Sequence, residues 1–282
     1  MVQHNSNLPA RPGKEFLQSL EKDMVGFSAR LFSALPENIN PKQFLHSIMA
    51  TVASSQRLQQ CTAQSILLAA YQAASLGLPV NDLGLAYLVP YGNNAKLQIG
   101  WRGYVQLVTC SGHVLKVDAH LVYKGDLFKY YLGTDPRIDH EANEETEEVT
   151  HAYAIAYLSS GLVQICVMNR KQIEAVRGRS QSATKGPWVT DFEAMCYKTI
   201  VKRLCKRLPA TIPSLQGVKK AMRIEEETYN TKLSPAALRP TKPLNTNAWT
   251  QNQDIPDYQG DDDSNWLNDD VHDEDINWDS KE

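Results

Sequence analysis

A dense run of basic residues has the composition of a surface that binds a polyanion. Between positions 170 and 223, thirteen Lys and Arg residues face three acidic ones, which leaves a net charge of +10. Spacings of about four residues place five of these cations on adjoining rows of one predicted helix: Lys198, Lys202, Arg203, Lys206 and Arg207. Like charges at this spacing repel each other, and a nucleic-acid backbone opposite them would relieve that repulsion. The alternative is a solvated basic face without a ligand.

Aromatic and basic side chains beside glycines form a second candidate contact with nucleic acid. The aromatics are Tyr91, Trp101, Tyr104 and Trp188, and the neighbouring cations are Lys96, Arg102 and Lys185. Glycine lets a phosphate backbone approach closely, and aromatic faces can stack on bases. The alternative is that these aromatic side chains fill the core at strand ends.

Sequence motifs for enzymatic catalysis are weaker than the signals for nucleic-acid binding. The sequence contains no GxxxxGK[ST] loop, which argues against a P-loop ATPase. Asp118 and Asp126 could hold Mg²⁺, as a nuclease requires, if the fold brought them together, although ion pairing with Lys116 and Lys124 explains them more simply. The histidines and the five cysteines lack metal-ligand spacing. We therefore predict no catalytic residue and no metal site, with the cysteines as reduced core thiols.

Apolar periodicity predicts the helices and hairpins that must position these groups. The first part of the chain is predicted to hold helices at about 16–35, 41–52 and 62–77, a β-hairpin around 92–95 and a short helix ending near Gly112. Asn40 is predicted to cap the second helix, and Thr62 begins the third. Together with the strands that follow, this pattern predicts an α+β fold with a small antiparallel sheet.

The second part of the chain is predicted to alternate strands with the basic helices. Strands are expected at 115–124, with Leu115 on the buried face, and at 126–132, followed by an acidic loop at 134–148 and a hairpin over 149–168. Capping boxes at Asn169 and Thr190 predict the starts of two helices, and a last helix is predicted over 214–228.

The chain divides into a basic body and an acidic end. We predict a flexible segment at 1–13, a core at 14–229 and a disordered tail at 230–282. The last 29 residues hold twelve Asp and Glu against Lys281, a net charge of −11, whereas the other 253 residues carry +8. The tail is expected to mask the basic surface, to dock on a partner or only to aid solubility. No apolar run approaches the length of a membrane span, so we predict a cytoplasmic protein without membrane contact.

Several blocks of sequence, in order, resemble the RecT family of phage and prophage single-strand annealing proteins. The resemblance covers roughly residues 44–227. The blocks are Leu76-Gly77-Leu78, LGLAYLVPYGN (83–93), IGWRGYVQL (99–107), KGDLF (124–128), THAYAIAYL (150–158), MNRKQIEAVR (168–177) and GPWVTDFEAMCYKTIVKRLCKRLP (186–209). Independent blocks in the right order are far more specific than a basic patch alone.

The resemblance implies a non-catalytic protein that anneals complementary DNA strands without ATP. Family members are similar to Redβ in forming rings or helical filaments, with the DNA in a basic groove that runs across subunits. The implied partners are single-stranded DNA, the annealed duplex intermediate, further copies of the chain, a 5′–3′ exonuclease and a host single-strand-binding protein. No cofactor is implied, and Mg²⁺ is expected only as a modulator of DNA binding. The alternatives are a Mg²⁺-dependent nuclease and a nucleic-acid-binding adaptor that does not anneal.

The candidate DNA contacts combine the residue patterns with this resemblance. They are Lys96, Trp101, Arg102, Arg170, Lys171, Arg177, Lys185, Trp188, Lys198, Lys202, Arg203, Lys206 and Arg207. Lys198 and Arg203 match basic helix positions of the family, and Arg102 matches the basic place in its glycine-flanked motif. The chain departs from the family at Tyr197, where members often have a second lysine.

Overall fold

Four helices form the N-terminal part of the fold. The computed structural model of the chain describes residues 12–80, 83–143, 148–180, 182–208 and 215–230. The first helices are α1 (Pro12–Ala34), α2 (Pro41–Ser54), α3 (Gln56–Gln59) and α4 (Ala63–Ala74), and α1 packs against α2 and α4. Asn40 caps α2 as predicted, because its side chain accepts hydrogen bonds from the backbone N–H groups of Lys42 and Gln43. Thr62 caps α4 in the same manner.

A β-hairpin and a short helix follow, as predicted. Strands β1 (Ala86–Tyr91) and β2 (Asn94–Ile99) pair in antiparallel fashion and lead into α5 (Trp101–Thr109). A Cβ atom on Gly103 would overlap the carbonyl oxygen of Leu85, and one on Gly100 would overlap that of Gly84. These two glycines therefore allow close packing of the chain on itself, whereas the sequence interpretation assigned them to the approach of a phosphate.

Three antiparallel strands form the largest sheet of the described residues, in the order β3–β6–β7. They are β3 (Val114–Tyr123), β6 (Val149–Leu158) and β7 (Val163–Asn169), which confirms the predicted hairpin over 149–168. The prediction that Leu115 faces the core is wrong, because its side chain is 68% exposed. Pairing with β6 shifts between Val114 and Lys116, and such a bulge changes the face on which the intervening side chain lies.

A separate two-stranded sheet contains part of the predicted acidic loop. Strand β4 (Leu127–Tyr131) pairs with β5 (Arg137–Glu141), so the prediction of a loop throughout 134–148 is wrong for β5. Within β5 only Ile138 and His140 are half-buried, and the other three residues are charged and exposed. A strand with so little buried apolar surface has almost no hydrophobic signal in the sequence.

His140 ties this small sheet to the large one. Its Nε2 lies 3.0 Å from Asp126 Oδ2 and its Nδ1 lies 3.1 Å from the Tyr153 hydroxyl of β6. The Asp126 side chain is 1% exposed and also accepts hydrogen bonds from the backbone N–H groups of Tyr123 and Asn143. Burial alone would raise the pKa of Asp126, but these backbone donors and His140 together lower it.

Four helices complete the described chain: α6 (Arg170–Gly178), α7 (Pro187–Thr190), α8 (Phe192–Arg207) and α9 (Gln216–Asn230). The capping box of Asn169 and Gln172 forms as predicted. The predicted box of Thr190 and Glu193 does not form, because α8 begins after Asp191 and the Glu193 carboxylate accepts a hydrogen bond from the Tyr123 hydroxyl. Helix α8 packs against all three strands of the large sheet and against α5.

The fold is α+β, with small antiparallel sheets packed with helices, as predicted. Most of the predicted flexible segment at 1–13 and nearly all of the predicted tail at 230–282 lie outside the described residues. Within the described ranges, no helix is both long enough and apolar enough to cross a membrane.

Candidate nucleic-acid interface

The five cations of α8 have different surroundings. Lys198 and Lys202 lie against α9, and only 17% and 24% of their side-chain areas are exposed. Arg203 is half-buried, whereas Lys206 and Arg207 are exposed at the C-terminal end of the helix. The cations therefore do not form the single solvated face that their spacing suggests.

Glu225 of α9 is shared by Lys198 and Lys202. Its side chain is 1% exposed, and the two ammonium groups lie 2.7 Å from Oε1 and 2.6 Å from Oε2. The Tyr104 hydroxyl donates to it at 2.9 Å and the Ile99 backbone N–H at 3.1 Å. Burial alone would raise the pKa of Glu225, but the two ammonium charges and their hydrogen bonds lower it to about 2. The carboxylate is therefore charged at neutral pH and accepts four hydrogen bonds.

Glu225 is not among the residues predicted from the sequence, because the basic run ends at Arg223, two residues before it. The buried apolar residues of α9 include Val218, Ala221 and Ile224. Glu225 follows Ala221 by four residues, so it lies on the same buried face of the helix. An acid on an apolar helix face, in a segment rich in lysine, predicts an internal ion pair, because a buried carboxylate requires a partner.

Strand β2 adds a third cation and an amide next to this ion pair. Lys198 Nζ donates to Gln98 Oε1 at 3.1 Å. Lys96 precedes Gln98 by two residues and so lies on the same face of β2, with its ammonium group 5.4 Å from the centroid of the Tyr91 ring. The fold thus brings predicted contacts from β2 and α8 to one region.

Two of the three predicted contacts on α6 are held by internal interactions. Arg170 donates from Nε to Glu174 at 2.9 Å, and its guanidinium carbon lies 4.5 Å from the centroid of the Phe192 ring. Arg177 lies 3.6 Å from the same carboxylate. Lys171 is exposed. Glu174 therefore neutralises part of the charge of α6, and Lys171 projects into solvent.

The two tryptophans differ in exposure. Trp188 is 3% exposed, with its ring centroid 6.0 Å from that of Phe192, so the core-filling alternative holds for this residue. Trp101 is half-buried and stacks on Tyr197 with ring centroids 5.3 Å apart. Tyr197 of α8 thus supports the start of α5.

Arg102 and Lys185 are exposed, as a DNA contact requires. The guanidinium carbon of Arg102 lies 5.4 Å from the centroid of the Trp101 ring. Arg102 Nη1 also donates to the carbonyl oxygen of Leu83 at 3.5 Å. These contacts hold the cation at the surface beside the exposed part of the indole ring.

The described ranges contain no group of three or more His, Cys, Asp and Glu residues placed to hold a metal ion. Asp118 pairs with Lys116 at 2.7 Å, whereas Asp126 is hydrogen-bonded to His140, so each aspartate has its own partner. The five cysteines are free, and Cys110 is exposed, contrary to the prediction of core thiols throughout. Burial raises the pKa of Cys196 and Cys205 to about 12, so both are thiols at neutral pH.

The region from α2 to α9 matches a known protein family. The sequence model of the RecT family matches residues 42–235. The chain belongs to the RecT family. It is 38% identical to Protein RecT of Escherichia coli (strain K12) over 199 residues, covering 67% of this chain and 74% of that protein. It is 31% identical to the uncharacterized protein YqaK of Bacillus subtilis (strain 168) over 188 residues, covering 66% of this chain and 64% of that protein.

The RecT-family span includes every candidate DNA contact and also the buried Glu225. The first candidate contact in the chain is Lys96 and the last is Arg207, and both lie well inside the matched residues 42–235. Helix α1 and the acidic residues after position 253 lie outside the span. The candidate interface therefore lies entirely within the part of the chain that the family model matches.

Proposed function

We propose that this RecT-family protein binds single-stranded DNA and anneals complementary strands in homologous recombination of phage or prophage type. The observation that carries the proposal is the family match across residues 42–235, which contains all of the candidate contacts. The basic residues of α5, α6 and α8 supply the charge that binding to a phosphate backbone requires.

Annealing makes and breaks no covalent bond, so the protein acts by holding DNA backbones. Neutralised phosphates repel each other less, and bases that are not held remain free to test pairing. We assign direct phosphate contact to the exposed cations Arg102, Lys171, Lys185, Lys206 and Arg207, with Arg203 beside them. Contact with the backbone instead of base edges makes the pairing tolerant of sequence.

The protein works as an oligomer in this proposal, and it requires no ATP. A groove that runs across subunits needs an interface next to the DNA site, and α1 and α2 supply it. Val25 and Phe32 of α1 are 66% and 38% exposed, so apolar surface is available on this helix for a second copy.

The cellular partners follow from the same proposal. A 5′–3′ exonuclease supplies the single strands, and a host single-strand-binding protein covers them before annealing. Mg²⁺ modulates DNA binding by screening phosphates, without a catalytic role. The protein acts in the cytoplasm.

A matched pair of double variants tests the assignment of cations on α8. Arg203→Ala with Arg207→Ala removes two charges from α8. The control, Lys124→Ala with Lys129→Ala, removes two exposed charges outside both the candidate contacts and the proposed subunit interface. The α8 variant should bind a mixed-sequence oligonucleotide more weakly and should reduce the log–log salt slope by about 0.7 for each lost contact. The control variant should keep the wild-type slope. An α8 variant with the wild-type slope would contradict this assignment.

A further inference from the structure

Glu225 accepts hydrogen bonds from the same kinds of donors that bind a DNA phosphate. Two ammonium groups, a hydroxyl group and a backbone N–H converge on its carboxylate. Proteins bind phosphodiester oxygens with these same donor types. An internal carboxylate and a bound strand therefore compete for Lys198 and Lys202.

The lysines, and not α9, are the movable partners in this competition. Helix α9 is anchored in the core, since Val218, Ala221 and Ile224 are at most 6% exposed. The two lysines lie at the margin of the site, 17% and 24% exposed, on flexible four-carbon side chains. They can therefore turn outward while α9 stays in place.

Glu225 keeps hydrogen-bond partners when the lysines leave. The Tyr104 hydroxyl belongs to α5 and the Ile99 N–H to β2, and both elements are part of the packed core. Two of the four hydrogen bonds are thus independent of the lysine side chains. The buried carboxylate therefore keeps hydrogen-bond partners. A buried charge without any partner would strongly destabilise the fold.

Gln98 offers a replacement for Lys198. It is 8% exposed, and its Nε2 has no hydrogen-bond partner among the described residues. An ammonium group only donates, so the amide must present its oxygen to Lys198 and keep its NH₂ group turned away. Once Lys198 leaves, rotation of the amide turns that NH₂ group toward Glu225, and a shift of the side chain into the space that the ammonium group occupied closes the remaining gap. The flip gives the buried Nε2 a partner and moves Oε1 to the side that Nε2 occupied, and a carbonyl oxygen is left unpaired in protein interiors more readily than an N–H group.

We propose that Lys198 and Lys202 exchange Glu225 for a phosphate of single-stranded DNA, and that Gln98 then replaces Lys198 at the carboxylate. This exchange rests on the proposed function and adds a regulation of the same site. Glu225 is an internal competitor that lowers the affinity of the free protein for an isolated phosphate. A strand that presents many phosphates to several cations outcompetes it, because linked contacts act at a high effective concentration. Competition by Glu225 therefore favours the binding of polymeric DNA over that of free nucleotides.

Replacement of Glu225 by glutamine is the first test. Glu225→Gln should bind a mixed-sequence single-stranded oligonucleotide about tenfold more tightly at fixed salt, the effect of removing a unit charge a few ångströms from a phosphate. The matched control is Glu227→Gln, which removes the same charge two residues further along α9, where the side chain is 60% exposed and lies beside Arg223, outside the candidate contacts. The control should tighten binding by less than about threefold, because solvent screens an exposed charge. Equal effects of the two variants, or no tightening by Glu225→Gln, would overturn the exchange.

Replacement of Gln98 by methionine is the second test, and it decides the question if Glu225→Gln does not fold. Gln98→Met keeps the size of the side chain and removes both the acceptor of Lys198 and the unpartnered donor. The hydrogen bond lost in the free protein and the one lost at the carboxylate after the exchange offset each other, because each involves one charged group. What remains is the lost gain from pairing Nε2, so DNA binding should weaken several-fold without any change in charge. Unchanged or tighter binding by this variant would overturn the role of Gln98 and with it the exchange. Failure of the wild-type protein itself to bind single-stranded DNA would instead refute the proposed function, so the two failures are distinguishable.

Discussion

Neutralising Glu225 should remove a part of the folding stability that depends on pH. The pKa of this carboxyl is about 2 in the folded protein, against an ordinary value of 4.5, and the side chain is 1% exposed. A difference of about 2.5 pKa units corresponds to roughly 3 kcal/mol of stability. Because the folded pKa is the lower one, this contribution is present above about pH 4.5 and is lost as the pH falls toward 2. About 2 kcal/mol of it should be gone at pH 3.

Urea unfolding of the wild type and Glu225→Gln at pH 7 and pH 3 isolates this contribution, because the other carboxyl groups titrate in both proteins. At pH 7 the variant should be less stable by about 3–5 kcal/mol, the cost of breaking a buried ion pair. At pH 3 that penalty should be smaller by about 2 kcal/mol. Glu226→Gln, with a 60% exposed side chain, should stay within about 0.5 kcal/mol of the wild type at both pH values. A Glu225→Gln penalty of equal size at both pH values would refute the reasoning.

Three further predictions concern other parts of the fold. Gly103→Ala should lower the free energy of unfolding by about 1–3 kcal/mol, because the new methyl group overlaps the Leu85 carbonyl oxygen, and a thermal melt with an unchanged midpoint would contradict this. Trp188→Ala should cost about 3–5 kcal/mol in urea unfolding yet leave the salt slope of DNA binding unchanged, since the ring is buried; a changed slope would argue for DNA contact. Truncation after Thr250 should tighten DNA binding mainly at low salt if the acidic tail masks the basic surface, and unchanged affinity would leave only the partner or solubility roles.

Local signals in the sequence predicted the parts of the fold that depend on local interactions. The caps at Asn40 and Asn169 form because each asparagine side chain reaches backbone N–H groups two or three residues away. The β1–β2 hairpin likewise closes within a few residues. These features need no knowledge of distant contacts, so residue types and spacing suffice to predict them.

Features that depend on contacts between distant parts of the chain could not be predicted from residue types and spacing. Strand β5 is held by pairing with β4 and by His140, and its own residues have little apolar content. The exposure of Leu115 depends on a bulge in the pairing with β6. Charge, helical spacing and the family resemblance predicted Lys198 and Lys202 as DNA contacts on one basic helix face, whereas both side chains are largely buried against Glu225. Their burial against Glu225 is set by the packing of α9 on β2 and α5. The helical pattern of α9 indicates a buried acid, but it does not tell which lysines pair with it.

The most direct test of the proposed function is the rate at which two complementary oligonucleotides pair when the protein is mixed with them. An annealing protein should give faster pairing than buffer alone, without ATP, and strands of unchanged length after prolonged incubation with Mg²⁺. Pairing at the rate of the protein-free control would contradict annealing and favour a binding adaptor. Shortened strands would contradict a non-catalytic protein and favour a nuclease.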